Sequence, residues 1–427
     1  MLAEEKFIVQ SRRSESGMRR VDLTRVELAS SETARKINRD ILLQLIHARQ
    51  PISRADLARL SGLQRSTVSQ ITEQLIAEGW IREGATARLP RGRRPTMLVL
   101  NNDLVVFAVD IRPRQVTVAT VDLSGRLLSQ SILPLSSDPA KTIAAILQCV
   151  ARTREASPGK SFGGIGISMP GRVHPETQKL IFAPNLKWPE VDIKTIIKRE
   201  TGLPVELENA ANACLFAEAW LGELDGVRNA VLITISEGLG SGILAEGQII
   251  SGENGMAGEF GHISIDPAGP LCGCGRRGCW ETFASCTAAI RYYSESVPQA
   301  GPIDFQELLG LAEAGDPHAK AALQKQACYI GKGMRMITAA LSPALVLVAG
   351  DITSVWDQYA PTIRKEAAST LLAGAPPRIE PSHEGEVARL RGAAALIFQR
   401  HPVSARNRPV LRAKRPRAKR QRPSLAR

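Results

Sequence analysis

Gly258-Glu259-Phe260-Gly261-His262 and, ten residues beyond that histidine, Cys272-Gly273-Cys274-Gly275-Arg276-Arg277-Gly278-Cys279-Trp280-Glu281 form the stretch on which the reading of this chain turns. Three of the seven cysteines fall within eight residues, interleaved with Gly273, Gly275 and Gly278. Glycines let a backbone fold tightly enough for three sulfurs to converge on one ion. With His262 they make a Cys3His set, tetrahedral and suited to zinc. It leaves no coordination position open for water or substrate, so the expected ion is structural Zn2+. Cys149, Cys214, Cys286 and Cys328 stand in apolar surroundings and read as plain core residues.

Upstream of this stretch the chain alternates β-branched strands with helical segments from Leu104 on, an α/β pattern. Segments 105–111, 115–122 and 127–133 read as a three-strand meander, with Ser124-Gly125 as one turn. A helix over 138–154 leads into Gly163-Gly164-Ile165-Gly166-Ile167-Ser168-Met169-Pro170-Gly171. That is a buried strand opening into Pro-Gly, the end at which α/β sheets place ligands. Val205-Glu206-Leu207 is a strand running into Glu208-Asn209-Ala210-Ala211-Asn212. Another strand, 230–235, enters Ser236-Glu237-Gly238-Leu239-Gly240-Ser241-Gly242, a loop able to expose backbone N–H groups to a phosphate.

The first hundred residues follow different rules. Residues 1–30 have no clear period, and Met18 offers an alternative start, so they read as an extension. From Lys36 the pattern is helical, with Ile37, Ile41, Leu42, Leu45 and Ile46 on one face. Pro51 ends that helix. Ser53 begins a second over 54–60, with Asp56 as capping-box partner and Leu57 and Leu60 inward. Ser61-Gly62-Leu63 is a short turn between crossed helices. A third helix buries Val68, Ile71, Leu75 and Ile76 and presents Gln64, Arg65, Ser66, Thr67, Ser69 and Gln70 from its first two turns. Recognition helices enter the major groove by this end. A hairpin over 81–100 follows, with Met97, Val99 and Leu100 on its returning strand. Its tip, Arg88-Leu89-Pro90-Arg91-Gly92-Arg93-Arg94-Pro95, suits a narrow minor groove, where cations meet enhanced negative potential. Residues 31–100 thus read as a winged helix-turn-helix, with Gln64, Arg65, Ser66, Thr67, Ser69, Gln70, Arg91, Arg93 and Arg94 meeting double-stranded DNA.

The charge is distributed to match. Of a formal +13 over 427 residues, the first 100 carry 18 basic and 11 acidic side chains, and 406–427 carry 10 basic and none acidic. Between them, 101–405 hold 27 basic and 31 acidic. Basic ends on a mildly acidic body point to an anionic polymer. The tail from 401 on, with Pro402, Pro409, Pro416 and Pro423, reads as disordered, either as a solubilising segment or as a salt-sensitive tether to DNA. At 44% hydrophobic and 23% charged the chain is neither disordered nor collagen-like, and no apolar run reaches the ~20 residues of a membrane span. The acidic Met1-Leu2-Ala3-Glu4-Glu5 start is unlike a signal peptide, and the cysteines are too few for a disulfide scaffold. A cytoplasmic protein is expected.

From residue 36 to 400 the chain resembles the ROK family of repressors, open reading frames and sugar kinases. The likeness rests on Gly258-Glu259-x-Gly261-His262, Cys272-x-Cys274-Gly275-x-x-Gly278-Cys279-x-Glu281 and the Glu208-Asn209 turn. It implies a two-lobed, actin-like (ribonuclease H-like) α/β domain over 101–400, with a monosaccharide in the cleft touched by Asn209, Glu259, His262 and Glu281. His262 would place one ring nitrogen on zinc and the other toward the sugar. The alanine-rich helix over 387–398 is expected to pack back across the lobes. The fused DNA-binding unit places the chain with the regulators of that family, which implies a homodimer or higher homo-oligomer reading paired half-sites. Kinases of the family follow Glu-Asn with a catalytic Asp, where this chain has Ala210, and have a glycine-rich loop after the first-strand Asp, where it has Asp110-Ile111-Arg112-Pro113-Arg114. The expectation is a sugar-responsive repressor of carbohydrate genes, not an enzyme. An active sugar kinase, or a regulator with a vestigial cleft governed by a protein partner, are the alternatives.

Overall fold

In the computed structural model the described residues are 31–86, 95–221, 224, 226–369, 376–382 and 387–400. The extension 1–30, the basic tail 401–427 and the wing tip with Arg88, Arg91, Arg93 and Arg94 lie outside them.

The N-terminal unit comprises α1 (Ser31–Arg49), β1 (Ile52–Ser53), α2 (Arg54–Ser61), α3 (Arg65–Ala77), β2 (Ile81–Thr86) and β3 (Thr96–Leu100). Its antiparallel strands lie in the order β1-β3-β2, so this is a winged helix-turn-helix. Ser53 caps α2: its hydroxyl accepts from the Asp56 amide at 3.1 Å and donates to Asp56 Oδ2 at 2.7 Å. Gly62 ends α2 at φ 72°, left-handed backbone that disfavours a side chain. The inward stripe of α1 differs from the expected one. Leu42, Leu43 and Ile46 are buried, but Ile37 is 55% and Ile41 38% exposed. Toward its start the inner face is polar. Arg35 donates to Gln74, and Arg39 to Glu78 at 2.8 Å while stacking on Trp80. On α2 only Leu57 is buried; Leu60 is half exposed, because an eight-residue helix turns just one apolar position onto the bundle.

The first lobe contains β4 (Leu104–Ile111), β5 (Gln115–Asp122), β6 (Leu127–Pro134), α4 (Pro139–Glu155), β7 (Ser161–Met169), β8 (Arg172–Val173), β9 (Leu180–Phe182), α5 (Ile193–Thr201), β10 (Val205–Asn209) and α6 (Ala210–Leu221). Its main sheet runs β10-β7-β4-β5-β6. The expected meander matches β4 to β6 to within a residue at each end. The second lobe contains β11 (Ala230–Ile235), β12 (Leu239–Ala245), β13 (Gln248–Ile250), α7 (Glu281–Ala284), α8 (Cys286–Ser296), α9 (Phe305–Glu313), α10 (Pro317–Leu341), β14 (Leu345–Gly350), α11 (Trp356–Ala368) and β15 (Arg378–Pro381), and the closing helix α12 (Ala388–Arg400) returns to the first sheet. The second sheet runs β13-β12-β11-β14-β15.

The two sheets face each other across α6 and α12. One face of the first sheet packs Phe107, Val109 and Ile167 against Ile143 and Ile146 of α4 and Ile197 of α5. Its other face packs Val106 and Ala108 against Ala393 and Ile397 of α12. Cys214 and Leu215 of α6 cover Leu232 and Leu347 of the second sheet, whose far side carries α8, α10 and α11. This is the actin-like arrangement of an α/β chain. Gly166 makes the seating of α12 possible, since a Cβ there would lie 1.7 Å from the Ala393 carbonyl. Among the described residues no helix is long and apolar enough to cross a membrane.

An aromatic junction joins the DNA-binding unit to the lobes. His47 meets Trp220 edge-on at 5.9 Å, Trp220 meets Phe398 at 5.6 Å, and Phe398 meets Trp80 at 5.9 Å. Burial pushes the His47 pKa below its ordinary value near 6.5, against the pull of Asp122. A histidine held neutral contributes stability above pH 6.5 that is lost as pH falls through that value. Wild type should therefore lose more melting temperature than His47→Gln between pH 7.5 and 5.5; parallel losses in thermal unfolding would refute this.

Candidate functional site

The cleft between the lobes is built from strand ends. β7 exits through Pro170-Gly171, β10 through Glu208-Asn209, and β11 turns into β12 at Ser236-Glu237-Gly238. A 3-10 turn, Glu259–His262, and the start of α7 at Glu281 close the opposite wall. The space between these walls, open mouth included, is about 920 Å³. All four residues expected at the sugar, Asn209, Glu259, His262 and Glu281, line it.

Their freedom differs. Asn209 Nδ2 donates to the Gly171 carbonyl at 2.7 Å, and its Oδ1 accepts from the Ala211 amide at 2.8 Å, so it ties β7 to the start of α6. Glu281 Oε2 accepts from the Leu239 amide at 2.9 Å. Glu259 is less committed, with Oε2 3.7 Å from His262 Nε2, and burial pushes its pKa up. Sequence reasoning missed Asn185, which reaches the cleft beside Pro184 from an irregular segment after β9. No periodicity marks such a segment.

The glycine-rich 236–242 stretch forms the tight turn of the β11–β12 hairpin at the cleft, with Gly240 and Gly242 already in β12. A Cβ on Gly242 would lie 3.0 Å from Asn212 Oδ1 and 3.1 Å from the Ala211 carbonyl. These glycines let the strand lie against the start of α6.

The metal set converges as the spacing implied. His262, Cys272, Cys274 and Cys279 bring their donor atoms within 4.8 Å of one another. His262 Nδ1 is 3.5 Å from Cys272 Sγ, and Cys274 and Cys279 are 3.6 Å apart sulfur to sulfur. A tetrahedron with ~2.3 Å zinc–sulfur bonds has edges near 3.7 Å, so the donors fit that ion. Gly278 makes the loop possible at φ 67°, since a Cβ there would lie 1.5 Å from the Asp266 carbonyl. His262 turns Nδ1 to the sulfurs and Nε2 to Glu259 in the cleft. Glu281 Oε1 lies 3.5 Å from Cys272 Sγ, so the wall of the cleft and the cysteine cage are one unit. Of the other cysteines, Cys214 and Cys286 are buried, and burial pushes the Cys214 thiol up to about 12.

On the far side of the cleft the arginines have taken over. Asp110 is buried and paired with Arg112, Nε to Oδ2 at 2.7 Å. Arg389, at the start of α12, stands 4.0 Å from Asp110 Oδ1 and donates to Ser236 Oγ at 3.0 Å across the lobes. Ala210 opens α6 with no group that could accept a proton. Arg389 escaped the sequence reading because only the fold brings α12 next to β4.

On the DNA-binding unit, Gln64, Arg65, Ser66 and Gln70 are exposed, and Thr67 and Ser69 half-buried, over the first turns of α3. Among the described residues, the exposed four make no side-chain hydrogen bond or ion pair. Their donors and acceptors are unspent.

The ROK family model matches residues 106–400, and that of the IclR helix-turn-helix domain matches 40–84. The chain is 30% identical to the xylose repressor of Bacillus spizizenii, over 88% of this chain and 98% of the relative. It is 26% identical to the DNA-binding transcriptional dual regulator NagC of Escherichia coli (79% and 86%) and 31% identical to a glucokinase of Streptomyces coelicolor (70% and 99%). Its fold is similar to the crystal structure of a ROK family transcriptional regulator homologous to the E. coli MLC protein, with TM-score 0.74, 27% identity and coverage of 87% and 98%. A Streptomyces griseus ROK glucokinase with glucose and AMPPNP gives TM-score 0.62 at 29% identity, covering 69% and 99%. With its two lobes matched from 106 to 400 and a helix-turn-helix in front of them, this chain belongs to the ROK family.

Proposed function

We propose that this protein is a sugar-responsive DNA-binding repressor of carbohydrate genes, working in the cytoplasm as a homodimer or higher homo-oligomer, whose lobes bind a monosaccharide without phosphorylating it. The observation that carries the reading is the asymmetry of the cleft. Its sugar wall keeps Asn209, Glu259, His262 and Glu281, while its nucleotide wall is occupied by the Arg112–Asp110–Arg389 cluster and has Ala210 in place of a base. Phosphoryl transfer needs a base and a cradle for the phosphates; Ala210 cannot accept a proton, and Arg112-Pro113 stand where a glycine-rich loop would follow Asp110. The relative named a xylose repressor and the one named a DNA-binding transcriptional dual regulator support this, as does the unspent polar face of α3.

In this reading α3 enters the major groove with Gln64, Arg65, Ser66, Thr67, Ser69 and Gln70, and the wing arginines Arg91, Arg93 and Arg94 hold the flanking minor groove. Zinc, held by His262, Cys272, Cys274 and Cys279, is structural: it fixes the orientation of the histidine that faces the sugar. The sugar shifts the repressor between two states only by binding one better than the other.

The test is a gel-shift titration with DNA from upstream of the protein's own gene, with and without D-xylose, D-glucose and N-acetylglucosamine, run beside an ATP-consumption assay on the same sugars. One sugar should change DNA affinity and none should consume ATP. Sugar-dependent ATP turnover would make the protein a kinase instead.

A further inference from the structure

The geometry points to α6 and α12 as one rigid lever that carries the state of the cleft to the recognition helix, with Trp220 and Phe398 as its contact points. This rests on the sugar-responsive reading above. Each helix has one end in the cleft and the other on the DNA-binding unit. α6 begins at the amide that Asn209 caps and ends at Trp220. α12 begins beside Arg389, which touches Ser236 of the second lobe and stands near Asp110 of the first, and reaches Phe398 near its other end. At twelve and thirteen residues they span about 18–20 Å.

The two helices move together because they touch at the backbone. A Cβ on Gly392 of α12 would lie 1.9 Å from the Ala213 carbonyl of α6, so nothing compressible separates them there. The far ends converge on opposite sides of one joint. Trp220 packs on His47 of α1, and Phe398 packs on both Trp220 and Trp80. Trp80 is tied directly to the recognition helix, since its amide bonds to the Leu75 carbonyl of α3 at 2.9 Å. Arg39 stacks on Trp80 while pairing with Glu78, the residue that ends α3. A displacement of Phe398 therefore reaches α3 through a single ring.

The joint is also built to re-seat. His47 Nε2, Trp80 Nε1 and Trp220 Nε1 are buried, and among the described residues none has a hydrogen-bond partner. No hydrogen bond from these ring nitrogens ties one ring to another, so the rings can slide past one another as in shear motions.

The experiment uses the full chain and two readouts. Melting temperature with D-xylose, D-glucose and N-acetylglucosamine reports binding in the cleft, and the gel-shift titration with and without the active sugar reports coupling. In Trp220→Leu and Phe398→Leu the sugar-induced melting shift and the sugar-free DNA affinity should stay near wild type, while the sugar-induced change in DNA affinity falls about tenfold. Trp220→Phe, which keeps a ring against His47, should restore most of the response. Phe162→Leu, in the first-lobe core far from the joint, should leave it intact. If Trp220→Leu does not fold, His47→Leu on the opposite face of the joint carries the same expectation. A wild-type response in variants that still bind sugar overturns the lever alone. A wild type that binds none of the sugars overturns the sugar reading and the lever with it.

Discussion

Cys279→Ser should lower the melting temperature by roughly 6–12 °C and remove the sugar-induced thermal shift, both together. Cys279 is fully buried, 3.6 Å from Cys274 and with its sulfur toward the His262 carbonyl, so it is the innermost of the four donors. Three remaining donors hold zinc poorly, and metal affinity lost from the native state is folding free energy lost. A loss of about 3 kcal/mol in a domain of this size corresponds to the range stated, at ~2–4 °C per kcal/mol. The sugar response falls with it because the cage positions both polar walls. Without the ion, His262 loses the contact that turns Nε2 into the cleft, and Glu281 loses a fixed neighbour in Cys272. Chelation of the wild type should reproduce both effects and added zinc reverse them, while Cys328→Ser, outside the cage, should do neither. Protein shown by elemental analysis to be metal-free, yet with unchanged melting and an intact sugar shift, would falsify the assignment.

The parts of this molecule that short-range pattern determines were legible from the chain. Strand limits in the first lobe, the Ser53 cap, the Gly62 turn and the Cys3His set depend on residues a few positions apart, and each stands where the spacing placed it. Failures came where a distant partner decides. Ile37 and Ile41 have helical spacing, but the face of α1 that meets α3 starts with Arg35 and Arg39, because Gln74 and Glu78 are what they meet. That the glycines at 240 and 242 also make room for the start of α6 is visible only in the fold. Asn209 lines the cleft as its spacing suggested, but that its amide also ties Gly171 to Ala211 is visible only in the fold; one N–H and one lone pair remain for a ligand. Arg389 needed the whole fold, since its partners Asp110 and Ser236 come from different lobes.

That difference in freedom ranks the cleft residues, and it singles out Glu259→Gln as the substitution with the largest direct effect on sugar affinity. Asn209→Ala removes the cap of α6, so a loss of about 1 kcal/mol in stability would be mixed into any effect on binding. Glu281 shares an oxygen with the Leu239 amide, and His262 belongs to the metal cage. Glu259 has a carboxylate in the cleft with His262 Nε2 3.7 Å away. A hydrogen bond to a charged group is worth about 1.5–3 kcal/mol, so the isosteric amide should weaken sugar binding by about 10–150-fold in calorimetry. Sugar-free DNA affinity and melting temperature should not change, because the side chain keeps its size and holds up no other element. The pattern is the inverse of that expected for Trp220→Leu: Glu259→Gln loses binding and response together, whereas the joint variant loses response alone. Unchanged sugar affinity in Glu259→Gln would remove the carboxylate from the contact set and leave the hydroxyl recognition to Asn185, Glu281 and the backbone of the hairpin.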